Sequence, residues 1–350
     1  MMRPPLPQIS LPRMPVARLL VAALSAALLL PPSILRADVV AQAIDQHILP
    51  GYGALVDTSE QLSESAAQDC DPNSEPLRAA YGAAFDAWVR VSHLRFGPSE
   101  TDNRAFALAF WPDSRGKTPK ALYALIRAND PIVADPDAYS TVSIAARGFY
   151  ALEFLLFDAD MQQTESAAFR CQLTRAIAQD IAATSRAIQE GWIADYADKM
   201  RSPQDRYRSE IEVKQELFKA VNTGLEILID MRLGRPLGSF DKPRPKRAEA
   251  YRSGRSLRHV QLSLQALEEL TLILAQEDPE LQAQLATSFT KVRAQADRLE
   301  DPVFAGVTQP GPRLRIEALQ QSIRNLRETV GLELGPALGV EAGFNSLDGD

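Results

Sequence analysis

The chain reads as all-α, two antiparallel four-helix-bundle-like domains in tandem. Apolar residues recur at three- and four-residue intervals over long stretches, while period-two alternation ending in NG or DG turns is essentially absent. Long helical patterns number four before residue 200 and four after it, and antiparallel packing is the simplest way to bury one apolar stripe from each. A single mixed bundle is the alternative arrangement. With 350 residues, 45% of them apolar, the chain is long enough for genuine cores and too apolar to be wholly disordered.

Residues 1–37 read as an address. They hold Arg3, Arg13, Arg18 and Arg36 and no Asp or Glu. A run free of charge, Leu19 to Leu30, leads to Pro31, Pro32 and the small-residue exit Leu35-Arg36-Ala37. That is the order of a secretory signal peptide. Such a run rises about 18 Å as a helix, short of the roughly 30 Å hydrocarbon core that an uncleaved anchor spans. No Cys precedes Cys70, so no lipid-anchored cysteine lies near the cleavage site. Cleavage after Ala37 takes the net charge of −7 further negative by removing the four Arg. No later run is long enough to cross a bilayer, and the expected location is the periplasm, given a Gram-negative source.

The mature region divides into residues 38–202 and 203–350. In the first part, a helix from Val39 into the sixties is interrupted near Pro50-Gly51. Pro72 and Pro76 open a second, with Leu77, Tyr81, Ala84, Phe85, Trp88 and Val91 in one stripe, and Gly97-Pro98 stops the chain. Two short helices follow, 104–110 and 119–128, then a loop over 131–139. An apolar helix is expected over 141–157, and a long one over 165–196. After Ser202-Pro203, helices are expected over 205–233, 249–276, 279–299 and 313–334, the first two separated by a Pro/Gly/Lys/Arg-rich linker, 235–247.

Composition excludes several functions. Two Cys, Cys70 and Cys171, cannot make a disulfide-dense scaffold or a four-thiolate zinc site. In an oxidising compartment they are expected to join in one disulfide; the alternative is two buried free thiols. The acidic balance is wrong for a nucleic-acid binder, and no nucleic-acid partner is expected. HExxH, Walker-type, GxGxxG and GxSxG motifs are missing. His47, His93 and His259 fall on separate predicted helices. Asp158-Ala-Asp160 lacks the other ligands of an EF-hand and reads as a helix cap. Arg252-Ser253-Gly254-Arg255-Ser256 offers guanidinium and hydroxyl donors to an anion, or forms a charged helix face.

Glu153 stands apart. It lies in Gly148-Phe-Tyr-Ala-Leu-Glu-Phe-Leu-Leu-Phe157, a helix apolar all round and hence buried. A carboxylate there needs a cation, a metal or converging donors, or else it keeps its proton. Tyr150, three residues earlier, shares its helix face. Gly148 implies close approach by another element. The plain structural alternative pairs Glu153 with a core arginine such as Arg90 or Arg252.

The whole mature chain resembles the imelysin family, known historically as peptidase family M75. The matching pieces are Ile48-Leu49-Pro50, Cys70, Trp88 with Arg95-Phe-Gly97-Pro98, and Phe110-Trp111-Pro112-Asp113-Ser-Arg115. Ala146-Arg-Gly148 through Leu156, Arg170-Cys171 and Trp192 follow, then Arg235-Pro236-Leu237-Gly238, Arg252-Ser253-Gly254 and the ending Gly343-Phe344 to Asp350. Their order and spacing carry the resemblance. It implies an exported bacterial protein with two helical bundles, linked to iron uptake, with its site where the bundles meet. The family's GxHxxE motif maps onto Gly148 and Glu153, with Tyr150 in the His position. A neutral phenol is a poor ligand for divalent metals, whereas a phenolate binds ferric iron.

Three functions are therefore compared. The preferred one is a non-enzymatic binding protein serving iron acquisition, taking iron, an iron chelate or an iron-uptake component as partner. There Glu153 is the anionic ligand or acceptor and Tyr150 the phenolic ligand or donor, with Trp111, Asp113 and Arg252 on the cleft wall. The second is a metallopeptidase with Glu153 as base or ligand. The third is a scaffold whose site has decayed.

Overall fold

The computed structural model describes residues 1–2, 4–5, 38–164, 166–203 and 205–340. The signal-peptide reading and the Gly343–Asp350 ending lie outside the described residues. From Asp38 onward the chain makes one compact unit.

The architecture is all-α; the one β-type pairing among the described residues is the isolated bridge Ser239–Lys242. Helix α1 runs over 39–68 and includes a widened π-type turn, Ala43–Ile48, just ahead of Pro50. The helix therefore continues through the proline, because the wider turn absorbs the lost backbone donor. Helix α2 is Glu75–Val91, opened by Ser74 and Pro76. Short helices α3 (Arg104–Leu108) and α4 (Lys117–Ala128) lead to α5 (Gly148–Phe157) and the long α6 (Ala167–Gly191). The later part holds α7 (Glu210–Glu226), α8 (Ser256–Leu274), α9 (Pro279–Asp297) and α10 (Pro310–Thr329).

In the first part α1 packs on both α2 and α6, and α5 lies against α6. In the later part α8 touches α7 and α9, while α10 closes against α7 and α9. The two groups meet where α2 packs on α8, and their apolar side chains form one continuous cluster. Cys70 and Cys171 form a disulfide that ties the end of α1 to the start of α6, across 101 positions. Closing a loop of that length stabilises the fold by about 4 kcal/mol in the chain-entropy account.

Two expected helices are shorter than their apolar patterns. The one expected over 141–157 begins only at Gly148, after a single 3-10 turn, Ile144–Ala146. The one expected over 249–276 begins at Ser256, and residues 249–255 form an irregular turn. The second unwound stretch borders a cavity, through Ala250, Tyr251 and Arg252.

Candidate functional site

Gly148 starts α5 with φ +72°, a left-handed conformation. A Cβ there would stand 2.2 Å from the carbonyl oxygens of Ala107 and Leu108. Glycine thus lets the start of α5 press against the end of α3. The expected close approach is present, but Gly148 opens the helix instead of interrupting it.

From that anchor, α5 is buried on nearly every side. Glu153 keeps only 2% of its surface exposed. Its Oε1 accepts hydrogen bonds from the Ser253 amide at 2.9 Å and the Ser253 hydroxyl at 2.7 Å. No described cation comes within ion-pair distance of it. Arg90, one proposed partner, grips Glu269 through both carboxylate oxygens at 2.6 and 2.8 Å. Arg252, the other, pairs with Asp158 at 2.7 Å and lies 3.7 Å over the Phe154 ring. The core-arginine alternative is therefore replaced by a serine clasp. Burial pushes the Glu153 carboxyl up, partly offset by the Ser253 bonds and the more distant charge of Arg252.

The clasp exists because residues 249–255 do not continue α8. Ala250 and Gly254 both take positive φ, 48° and 72°, and the turn aims the Ser253 amide at α5. The same turn buries Glu249. Arg232 binds Glu249 Oε2 at 2.6 Å, and His259 Nδ1 lies 3.2 Å from the same oxygen. Burial would raise the Glu249 carboxyl, but Arg232 and His259 hold it well below the usual carboxylate range.

Tyr150 donates its hydroxyl to Glu249 Oε1 at 2.6 Å. It shares the cavity wall with Glu153, but its hydroxyl serves a different carboxylate. Burial, followed by the negative charge of Glu249, drives the phenol far above its ordinary value. Phenolate chemistry toward ferric iron is thus disfavoured at this position.

Tyr150, Glu153, Trp111, Asp113 and Arg252 all border one cavity of about 220 Å³. Trp111 stacks at 6.5 Å on Tyr150, and this pair also borders a smaller cavity of about 100 Å³ beside Glu249 and Arg232. Asp113 fixes the start of α4, accepting from the amides of Lys117 at 2.8 Å and Thr118 at 2.7 Å. Burial pushes its carboxyl up, and those amides outweigh the push. Gly148 sits behind the wall, where it sets the position of α5. Arg235, Lys246 and Arg247 also line it.

A resident metal would need converging anionic or imidazole donors. Among the described residues no three His, Cys, Asp or Glu side chains converge to hold one. Glu153 has one oxygen clasped by Ser253, Asp113 is engaged by backbone amides, and Tyr150 stays protonated. These groups do not fit a bare metal ion, and the metallopeptidase reading lacks its ligands. Of the other histidines, His47 and His93 face each other at 3.0 Å between their Nε2 atoms, away from this cavity.

Sequence reasoning missed Glu249, Arg232, Arg235, Lys246 and Arg247. Arg235 is held over the Trp111 ring at 5.6 Å. The signal available was the basic density of 235–247, read as linker because Pro and Gly are interspersed there.

Comparison with known proteins gives a consistent picture. No curated protein matches the chain. The solved structures that share its fold include the following two. An imelysin-like protein from Psychrobacter arcticum 273-4 is 18% identical with a TM-score of 0.71, covering 87% of this chain and 96% of its own. A putative iron-regulated protein A precursor from Parabacteroides distasonis ATCC 8503 is 13% identical with a TM-score of 0.70, covering 84% and 93%. The family model for imelysin, Peptidase_M75, matches residues 48–330. With that match over most of its length, the chain belongs to the imelysin family.

Proposed function

We propose that this chain is an exported, periplasmic, non-enzymatic binding protein serving iron acquisition, and that the cavity beside Glu153 is its binding site. Family membership supports the iron connection, as does the name of the Parabacteroides relative, an iron-regulated protein. The pattern of residues 1–37 supports export, and among the described residues no helix is long and apolar enough to cross a membrane.

One observation carries the reading. Glu153 is buried, clasped by a serine, without a cation on it, and borders a cavity. A carboxyl placed for packing alone would be neutralised, as Glu249 is by Arg232. In this reading Glu153 meets the ligand, Trp111 forms an aromatic wall, and Arg252 steadies the turn that supplies Ser253. Tyr150 closes the cavity floor and links it to Glu249. Iron enters as cargo, carried by a chelator, since the protein's own donors do not form a metal cage.

Isothermal titration of metal-stripped protein with ferric salts and ferric chelates tests this. The expected result is binding of an iron-bearing solute, with an affinity that Glu153→Gln changes and Trp111→Ala weakens. Equal affinities for wild type and both variants would overturn the site assignment. Absence of binding by any iron species would leave an exported helical scaffold.

A further inference from the structure

We propose that the cavity beside Glu153 takes a small polycarboxylate anion, free or as its ferric chelate, held by Arg235, Lys246 and Arg247. This rests on the cavity being a binding site and adds the charge class of its ligand.

The cavity wall carries four cationic side chains and two acidic ones. Asp113 already receives three backbone amides, from Arg115, Lys117 and Thr118. Arg252 has Asp158 as its partner. Arg235, Lys246 and Arg247 have no carboxylate partner among the described residues. Several half-buried arginines elsewhere in the fold hold a carboxylate, Arg147 with Asp180, Arg255 with Asp86 and Arg293 with Glu268, while Arg78 and Arg175 bond backbone carbonyls. Arg235, half-buried on the cavity wall, has neither kind of oxygen partner among the described residues, and the exposed Lys246 and Arg247 line the same wall.

Arg235 is the sharpest case. Its Nε is buried and has no hydrogen-bond partner. Leaving a buried donor unpaired is unfavourable, more so for a charged group. Burial, then the nearby positive charge of Arg247, lowers its pKa. Two guanidinium groups on one cavity wall, neither with a carboxylate partner among the described residues, are a repulsive arrangement that an anion would relieve. The planar fork of each matches a carboxylate through paired hydrogen bonds.

Several observations favour an organic anion of small size. Trp111, Phe110 and Tyr251 give the cavity aromatic surface suited to a carbon skeleton. The volume of about 220 Å³ lies below the range of about 300–1,000 Å³ that houses drug-sized ligands. Three unpartnered cations call for more than one negative charge. Glu153 does not oppose this, because its burial favours the protonated form, which donates a hydrogen bond to a ligand carboxylate.

The experiment is calorimetry of the purified protein with citrate, ferric citrate, inorganic phosphate and a ferric salt, at low and moderate ionic strength. Citrate or ferric citrate is expected to bind at one site, more weakly as salt increases. Arg247→Gln and Arg235→Gln are each expected to weaken that binding about tenfold or more. Arg247 and Lys246 are exposed, so Arg247→Gln and Lys246→Gln report binding without a folding defect, which circular dichroism verifies. Tighter binding of ferric citrate than citrate identifies the chelate as ligand; the reverse identifies the free anion. Phosphate binding as tightly as either would overturn the polycarboxylate assignment. Heat from the ferric salt, sensitive to Glu153→Gln but not to Arg247→Gln, would overturn the anion assignment while leaving the binding site standing. Silence from every titrant would overturn both.

Discussion

Glu153 and Glu249 sit in the same small region, 2% and 4% exposed, yet their surroundings differ in kind. Glu249 has a guanidinium, an imidazole and a phenol around it. Glu153 has one serine and an opening. Burial opposes ionisation at both. What separates them is whether the fold supplies compensating charge. Glu249 is thereby a structural anion that pins Arg232 and Tyr150, while Glu153 is left with capacity for something from outside. A buried carboxylate is a site signal only when the fold leaves it uncompensated.

The largest way to break that contrast is to strip Glu249 of its cation. Arg232→Ala leaves the buried Glu249 carboxylate without its guanidinium and is expected to cost about 3–5 kcal/mol in urea denaturation. Glu153→Gln is expected to change stability by less than about 1 kcal/mol at pH about 4, because burial favours the neutral carboxyl and the serine clasp survives on the amide oxygen. Equal penalties would erase the distinction.

Gly148→Ala ranks next, with an expected loss of about 2–4 kcal/mol, since a left-handed Ala is strained and its Cβ meets two backbone oxygens. Ligand binding should fall with it, as α5 carries Glu153 and Tyr150.

Acid should sharpen the comparison, because the two carboxyls are displaced in opposite directions. Glu249 has its folded pKa depressed, so its stabilisation is full above the unfolded value of about 4.3 and is lost as pH falls toward the folded one. Glu153 has its folded pKa raised. Its protonated form contributes stability below the unfolded value, and that contribution is lost as pH rises through the folded one. Wild type should therefore lose ground to Glu153→Gln as pH rises above the unfolded value of about 4.3, with a slope of at most about 1.4 kcal/mol per pH unit. Denaturation of both proteins across that range measures it; a flat difference would contradict the raised value.

Much of the helical layout was legible, because apolar periodicity and Pro or Gly punctuation are local signals. Glu153 was legible for the same reason: a charge inside an unbroken apolar run is conspicuous. Its serine partner was not, since Ser253 is 100 positions away and its segment read as hydroxyl and guanidinium donors to an anion or as a charged helix face, with nothing local to point it at Glu153. Residues 249–255 keep a helix-like pattern but unwind, because tertiary bonds from Glu153 and Arg232 outweigh local propensity. Arg235, Lys246 and Arg247 looked like solvated linker; only folding shows that their stretch lines a cavity. Gly148 signalled close approach, but its place at the helix start follows from a φ that sequence does not display.

The central claim is that iron reaches this protein as an anionic chelate lodged beside Glu153. A crystal grown with ferric citrate and measured at the iron absorption edge tests it directly. The account predicts an anomalous peak in the cavity bordered by Trp111, Glu153, Arg235 and Arg247, with chelator carboxylates on the arginines and no direct bond from iron to Glu153. An empty cavity in protein saturated with the chelate, or a peak elsewhere on the chain, would contradict it.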